Sequence, residues 1–405
     1  MKILYHHRIL SADGQFVHVR ELVEALRRRG HEVEVVGPEV GASDVDQPPA
    51  FRAFRSICPK AIYEILEIGY NLIAMRRLRK AIREARPDII YERYNLFLFA
   101  GLWARWWYRV PLLLEVNAPL AEERGRHGSG LALQHLARWS EARVWRAADG
   151  VFTVTRVLAE RIASAGVERE RIVITPNGVD LRRFRSLPSR DQAKAALGLE
   201  GKRVVGFTGF VRPWHGLEAV VDWLACAAPD DVVLLIVGDG PAVASLTERA
   251  RRLELADRLV LAGTVAPDSI PRYLASFDIA LQPAVVAYAS PLKIVEYMAA
   301  GCAILAPDQP NIREVLRPGE NAVLFEPDDF ADKLSEIIAD PPLAARIGAA
   351  ARQAIMDQQL TWDDNAAAVE TLARTAASSN QPAAPRGQSF SPSTTRPAST
   401  RSRQR

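Results

Sequence analysis

Ser290-Pro291-Leu292-Lys293-Ile294-Val295-Glu296-Tyr297-Met298-Ala299-Ala300-Gly301 reads as one helix with both of its ends marked. Ser290 suits the N-cap, and Pro291 suits the first helical position, where a missing N–H costs nothing. Gly301 can take the left-handed conformation that closes the helix. The charges run against helix stability. Lys293 stands in the first turn, where the dipole disfavours a cation, and Glu296 follows it, the weaker orientation for an i,i+3 pair. That order makes sense if something strongly anionic, such as a diphosphate, lies at the helix start.

Short β-branched runs alternate with amphipathic helical stretches along nearly the whole chain. Strands are expected at 2–5, 33–36, 88–92, 112–116, 150–155, 172–175, 203–208, 232–237, 258–262, 278–282, 303–306 and 323–326. Alternation of this kind predicts an α/β protein with parallel sheets covered on both faces. Twelve strands exceed one doubly wound sheet of usual size. Two Rossmann-like halves meeting near residues 175–190 fit better, with Thr175-Pro176-Asn177-Gly178-Val179-Asp180 as the turn-rich passage between them.

Ligands of doubly wound sheets gather at the carboxyl ends of the strands. Three such ends carry glycine turns: Gly209 to Gly216, Gly238-Asp239-Gly240-Pro241, and Gly263-Thr264-Val265. Any one has a plain loop reading. Three in order, followed by the Ser290–Gly301 helix, make coincidence a poor account.

This order resembles the C-terminal domain of the retaining glycosyltransferases of family 4. The motifs that carry the resemblance are Asn177-Gly178-Val179-Asp180, the Gly238-Asp239-Gly240-Pro241 turn, and Ser290-Pro291-x-Lys293-x-x-Glu296-Tyr297-Met298-Ala299-Ala300-Gly301. The resemblance extends over nearly all of the chain up to about residue 375. It implies the GT-B architecture, two facing Rossmann-like doubly wound parallel-sheet domains. Residues 1–180 would form the acceptor side, 181–360 the donor side, and 361–375 a helix returning to the first domain. It also implies a UDP- or GDP-type nucleotide-sugar donor, a glycan or lipid-linked acceptor in surface polysaccharide or glycolipid synthesis, and neither cofactor nor metal.

On the same resemblance, Glu296 would hold the ribose hydroxyls. Ser290, Pro291 and Lys293 would face the diphosphate, and Gly263 and Val265 would border the base through backbone groups. Gly14, Gly209 and Gly238 would line the donor site, with Arg212 as a second phosphate cation. Several positions depart from the pattern. Many relatives carry a second glutamate eight residues before the first, where this chain has Tyr288. Phe210 and His215 stand where Arg and Lys are common, and Asn117 stands where a histidine near the reaction centre is often found. The catalytic candidates are Arg212, Lys293 and Asn117. A catalytically silent sugar-nucleotide binder, acting as sensor or scaffold, is the alternative. A nicotinamide-dependent oxidoreductase is disfavoured, since no Gly-x-Gly-x-x-Gly follows the first strand.

The first domain supplies Asp13, His18, Glu92, Arg93 and Asn117 at or near strand ends, as candidates to face the cleft. His18 also reads as a helix-face histidine, and His6 and His7 as strand-end polar residues. Asp44-Val45-Asp46, the lone Asp-x-Asp, reads as solvated loop. Cys58, Cys226 and Cys302 lie far apart, with no metal or redox spacing, which fits a reduced cytoplasmic setting.

A net charge of +4 conceals an asymmetry. Residues 1–180 hold 27 Lys/Arg against 22 Asp/Glu, and residues 181–375 hold 20 against 26. The acidic second half argues against nucleic acid as a partner. Trp103, Trp106, Trp107, Trp139 and Trp145 fall among Arg105, Arg109, Arg124, Arg126, Arg138, Arg143 and Arg146, and Met75 to Lys80 adds a basic patch. Such mixtures suit a membrane interface, or else core aromatics beside solvated arginines. Attachment to the cytoplasmic face of a membrane is the expectation. Residues 376–405, rich in Ala, Ser, Pro and Arg, are predicted disordered.

Overall fold

The computed structural model describes residues 1–10, 14–38, 58–127 and 130–379. Ser11 to Asp13, Asp44-Val45-Asp46 and residues 380–405 lie outside this set.

All twelve expected strands are present, their ends moved by a residue or two. They form two six-stranded sheets in which every pairing is parallel. The first sheet contains β1 (Lys2–His6), β2 (Glu32–Val36), β3 (Ile89–Arg93), β4 (Leu112–Val116), β5 (Gly150–Thr153) and β6 (Ile172–Ile174), in the order β2-β1-β3-β4-β5-β6. The second contains β7 (Arg203–Thr208), β8 (Val232–Val237), β9 (Leu259–Gly263), β10 (Ile279–Leu281), β11 (Ala303–Pro307) and β12 (Val323–Phe325), in the order β12-β11-β10-β7-β8-β9. β8 shows why the sheets are parallel. Its six residues are all apolar and all buried, as a strand covered by helices on both faces requires.

The chain crosses between the halves twice, and the two crossings meet. Val179 donates its N–H to the Leu360 carbonyl at 3.0 Å, and Trp362 donates back to the Val179 carbonyl at 3.4 Å. A Cβ on Gly178 would lie 2.5 Å from the Thr361 carbonyl carbon, so this crossing needs glycine. After the second crossing, the helix Trp362–Ser379 seats Trp362, Ala366, Val369 and Ala373 in the first core, against Val19, Leu22, Val23 and Leu26. This helix continues past residue 375, where disorder was expected. Ala376 packs against the same core, and alanine favours the helix.

Among the described residues, no helix is long and apolar enough to cross a membrane.

Candidate functional site

In the second sheet, β7 is flanked by β8 and β10, so the strand order reverses beside it. The segments leaving the carboxyl ends of β7 and β10 therefore part there, the place where doubly wound sheets bind their ligands. One is the Gly209–Gly216 loop; the other leads to the helix Leu292–Ala300.

The glycine turns hold this loop in place. Gly209 and Gly238 have φ of 114° and 144°, a region that side chains rarely adopt. A Cβ on Gly238 would lie 2.1 Å from the Gly209 carbonyl oxygen, and one on Gly240 2.3 Å from that of Val211. Gly238 therefore acts by letting one loop stack on another. Gly263, with φ of 66°, bridges to Gly238, and Val265 packs partly buried on the second core.

The expected N-cap is corrected. The helix begins at Leu292, Pro291 occupies the cap position, and no side chain caps it. Ser290 is engaged elsewhere: its Oγ accepts the Asn177 N–H at 3.1 Å, and its carbonyl accepts from Asn177 Nδ2. The first turn thus keeps its positive end clear of a side-chain oxygen. Gly301 closes the helix with φ of 71°, as expected.

Lys293 leans from the first turn toward the β7 loop. Its Nζ lies 3.7 Å over the Phe207 ring, and a Cβ on Gly209 would be 3.6 Å from it. Burial brings the ammonium down to about 7, with Glu296 opposing. His215 lies nearby, buried, and burial with the charges of Lys293 and Arg212 lowers it to about 3. It is a neutral ring whose Nδ1 accepts the Arg212 N–H at 3.2 Å, so its proton sits on Nε2. Arg212 itself is exposed, its guanidinium 4.8 Å over the Phe210 ring.

Glu296, one turn further along, is partly exposed. Burial pushes its carboxyl up to about 7; Arg183 and Lys293 oppose this, and Glu21 adds to it. Neither Arg183 nor Glu21 stood out in the sequence. Arg183 Nη1 lies 3.8 Å from the buried Glu21 carboxylate, and its Nη2 donates to the Pro267 carbonyl. The position of Arg183 just after Asn177-Gly178-Val179-Asp180 was the available signal.

From the first half, the helix Gly14–Arg28 starts against the same place: a Cβ on Gly14 would lie 3.6 Å from Leu292 Cδ1. Two helix N-termini therefore converge on the cleft, each a partial positive charge. Behind them Glu115, buried, accepts from Tyr5 at 3.0 Å, from Arg93 and from Asn117, and lies 3.1 Å from His18 Nε2. Burial alone would raise this carboxyl; His18, Arg93 and Asn117 outweigh it and hold it well below the usual range. His18 continues to Asn177, and Asn177 to Ser290, so the network ends at the Leu292 helix. Asn117 belongs to this support. Glu92, expected to face the cleft, is enclosed instead: its carboxylate lies 2.5 Å from His6 Nδ1, and a Cβ on Gly101 would strike it.

Tyr288 is turned away from the Leu292 helix. It packs in the first half's core with Trp145 and Leu158, under the Arg161 guanidinium, and its carbonyl accepts from Thr155 at 2.9 Å. Beside it a cavity of about 410 Å³ is lined by Pro119, Glu122, Arg138, Glu141, Trp145 and Arg161.

This geometry has relatives. Residues 12–183 match the Glycosyltransferase Family 4 model, and residues 189–354 match the Glycosyl transferases group 1 model. A GDP-mannose-dependent alpha-mannosyltransferase of Mycolicibacterium smegmatis is 24% identical over 87% of this chain and 91% of its own. A D-inositol 3-phosphate glycosyltransferase of Xylanimonas cellulosilytica is 28% identical over 89% of this chain and 91% of its own. In three dimensions, HepE of Anabaena in complex with UDP superposes with a TM-score of 0.70 at 22% identity, over 92% of this chain and all of that one. Sucrose-phosphate synthase from Thermosynechococcus elongatus gives 0.70 at 19% identity, over 94% of this chain and 100% of its own. With both halves matched in order and two parallel sheets facing one cleft, this chain belongs to the family 4 glycosyltransferases, enzymes of the GT-B fold.

Proposed function

We propose that the protein transfers a sugar from a nucleoside-diphosphate donor to a glycan or lipid-linked acceptor, with retention at the anomeric carbon, at the cytoplasmic face of a membrane. The observation that carries this reading is the gathering of Lys293, His215, the start of the Leu292 helix and the start of the Gly14 helix, with Glu296 one turn beyond Lys293.

Glycosyl transfer needs the departing diphosphate's charge stabilised as the anomeric bond breaks. Two helix N-termini and Lys293 supply positive potential, and His215 a neutral donor, so the reading assigns no step to a metal. Arg212 can swing from the Phe210 ring to a second phosphate oxygen. Glu296, ionised, accepts two vicinal ribose hydroxyls. With the acceptor attacking from the face the leaving group departs, a phosphate oxygen takes the acceptor's proton. No dedicated enzymatic base is required. Asn117 acts by holding Glu115.

Relatives named for GDP-mannose, and HepE solved with UDP, set the donors to try: GDP-mannose, UDP-glucose and the two free nucleotides. Thermal-shift screening of the full chain tests the reading, since a bound donor raises apparent stability. A shift for wild type that is lost in Glu296→Ala is the expected result. Equal shifts in both would remove the role given to Glu296. A second reading, a silent binder, is favoured by the turning away of Tyr288; donor binding with no hydrolysis or transfer would establish it.

A further inference from the structure

The helix Lys60–Ala85 is inside out along its first half. It buries Glu64, Glu67 and Asn71, and it leaves Ile65, Leu66, Leu72 and Ile73 each more than half exposed, with Leu72 at 69%. The inward polar residues have firm tasks. Glu64 accepts the N–H groups of Ala132 and Leu133, both at 2.7 Å. Glu67 holds the Arg124 guanidinium through both oxygens, at 2.8 and 2.9 Å. Asn71 bonds the Phe97 carbonyl and the Phe99 N–H. These bonds account for the inward face; they give no reason for an outward face of isoleucine and leucine. Water is a poor medium for that face.

The exposed stripe changes character as it continues. Ile62, Ile65, Leu66, Leu72 and Ile73 are followed, at the same helical spacing, by exposed Arg76, Arg77, Lys80 and Arg83. Trp106 and Trp107, 71% and 59% exposed, stand on the helix Ala100–Tyr108, which packs beside it through Ala100 and Ala104. Trp145, by contrast, is core. The apolar half is level with the cleft: Arg8, just beyond β1, lies 3.8 Å from Glu67 and 4.5 Å over the Tyr70 ring.

An apolar strip continued by four cations on one helix face is complementary to a bilayer bearing negative headgroups. We propose that this face of the Lys60–Ala85 helix docks on an anionic membrane and brings the acceptor side of the cleft to the lipid surface. The inference deepens the function proposed above, selecting a lipid-linked acceptor, and rests on it.

The test is co-sedimentation of the full chain with phosphatidylglycerol and phosphatidylcholine vesicles, with a nucleotide-sugar thermal shift run on every variant. Wild type is expected to bind phosphatidylglycerol vesicles and to leave phosphatidylcholine vesicles unbound. Ile65→Ser with Leu72→Ser should lower the bound fraction about tenfold, as should Arg76→Glu with Arg77→Glu, while Leu72→Trp keeps it. All of these should keep the donor-induced shift, which separates docking from the glycosyltransferase reading. Absence of vesicle binding by wild type would overturn the proposal. Equal binding to both lipids, an unchanged Ile65/Leu72 variant, or a wild-type dimer that this variant dissociates would overturn it too.

Discussion

His18 Nδ1 stands 2.8 Å from Asn177 Oδ1, across 159 positions of sequence. Because Asn177 Nδ2 donates to the Ser290 carbonyl, its Oδ1 is the acceptor and His18 donates to it. The other ring nitrogen faces the Glu115 carboxylate at 3.1 Å. A buried carboxylate in the first half thereby sets the start of the Leu292 helix in the second. Asn177→Ala strands a donor at one end of this link, the His18 N–H, and an acceptor at the other, the Ser290 carbonyl. It should lower unfolding stability by about 1–3 kcal/mol and reduce kcat more than donor affinity. Urea titration and steady-state kinetics check this; wild-type kcat in a folded variant would refute it.

Donor affinity should peak near pH 7. Burial moves Glu296 up to about 7 and Lys293 down to about 7. Both must be charged to hold a nucleoside diphosphate. On the alkaline side the free protein has to take up a proton at Lys293; on the acid side it has to lose one at Glu296. Affinity then falls roughly tenfold per pH unit beyond either limb. Lys293→Arg should flatten the alkaline limb alone, as read by calorimetric titration.

The same pair shapes the stability of the free protein. Glu296 lies above its ordinary 4.5, so its contribution is lost as pH rises toward 7. Lys293 lies below its ordinary 10.5, so its contribution is lost as pH falls toward 7. Together they are least stabilising near neutrality, where Glu296→Gln should raise the thermal midpoint of the ligand-free protein. A lowered midpoint at pH 7 would contradict the assignment.

Restoring the missing glutamate should not help. Tyr288 sits in the first half's core, and Glu122 and Glu123 already push its hydroxyl upward on top of burial. Tyr288→Glu would put a third carboxyl there, at a cost of about 2–4 kcal/mol and with no gain in turnover. Denaturant midpoints and initial rates decide the matter.

Gly238→Ala should be among the most damaging single changes outside the catalytic groups. The new methyl would meet a backbone oxygen at 2.1 Å in a conformation with φ of 144°. A loss of about 2–4 kcal/mol is expected, with weaker donor binding as the Gly209 loop shifts. A thermal midpoint within a degree of wild type would exclude it.

The twelve strands were legible because parallel strands buried on both faces are short continuous apolar runs, as in Val232 to Val237. The placing of Lys293 and Glu296 in the first turns of one helix was legible because Pro291 and Gly301 mark its two ends. Ser290 was misread because its partner, Asn177, is 113 residues away, and local capping preference carries no trace of it. Glu92 was misjudged in the same way: its place at a strand end put it among the cleft candidates, yet it is enclosed by His6 and Gly101. The outward leucines of the Lys60–Ala85 helix escaped notice because apolar spacing alone does not say which side faces water.

The return of the Trp362–Ser379 helix into the first core also has a practical corollary. A single protease nick in the Arg185–Ser189 connection would leave two fragments still clasped together, because the later one carries a piece of the earlier one's interior. Expressing the amino-terminal lobe alone would instead yield an incomplete core, unless that last helix were supplied as a separate peptide.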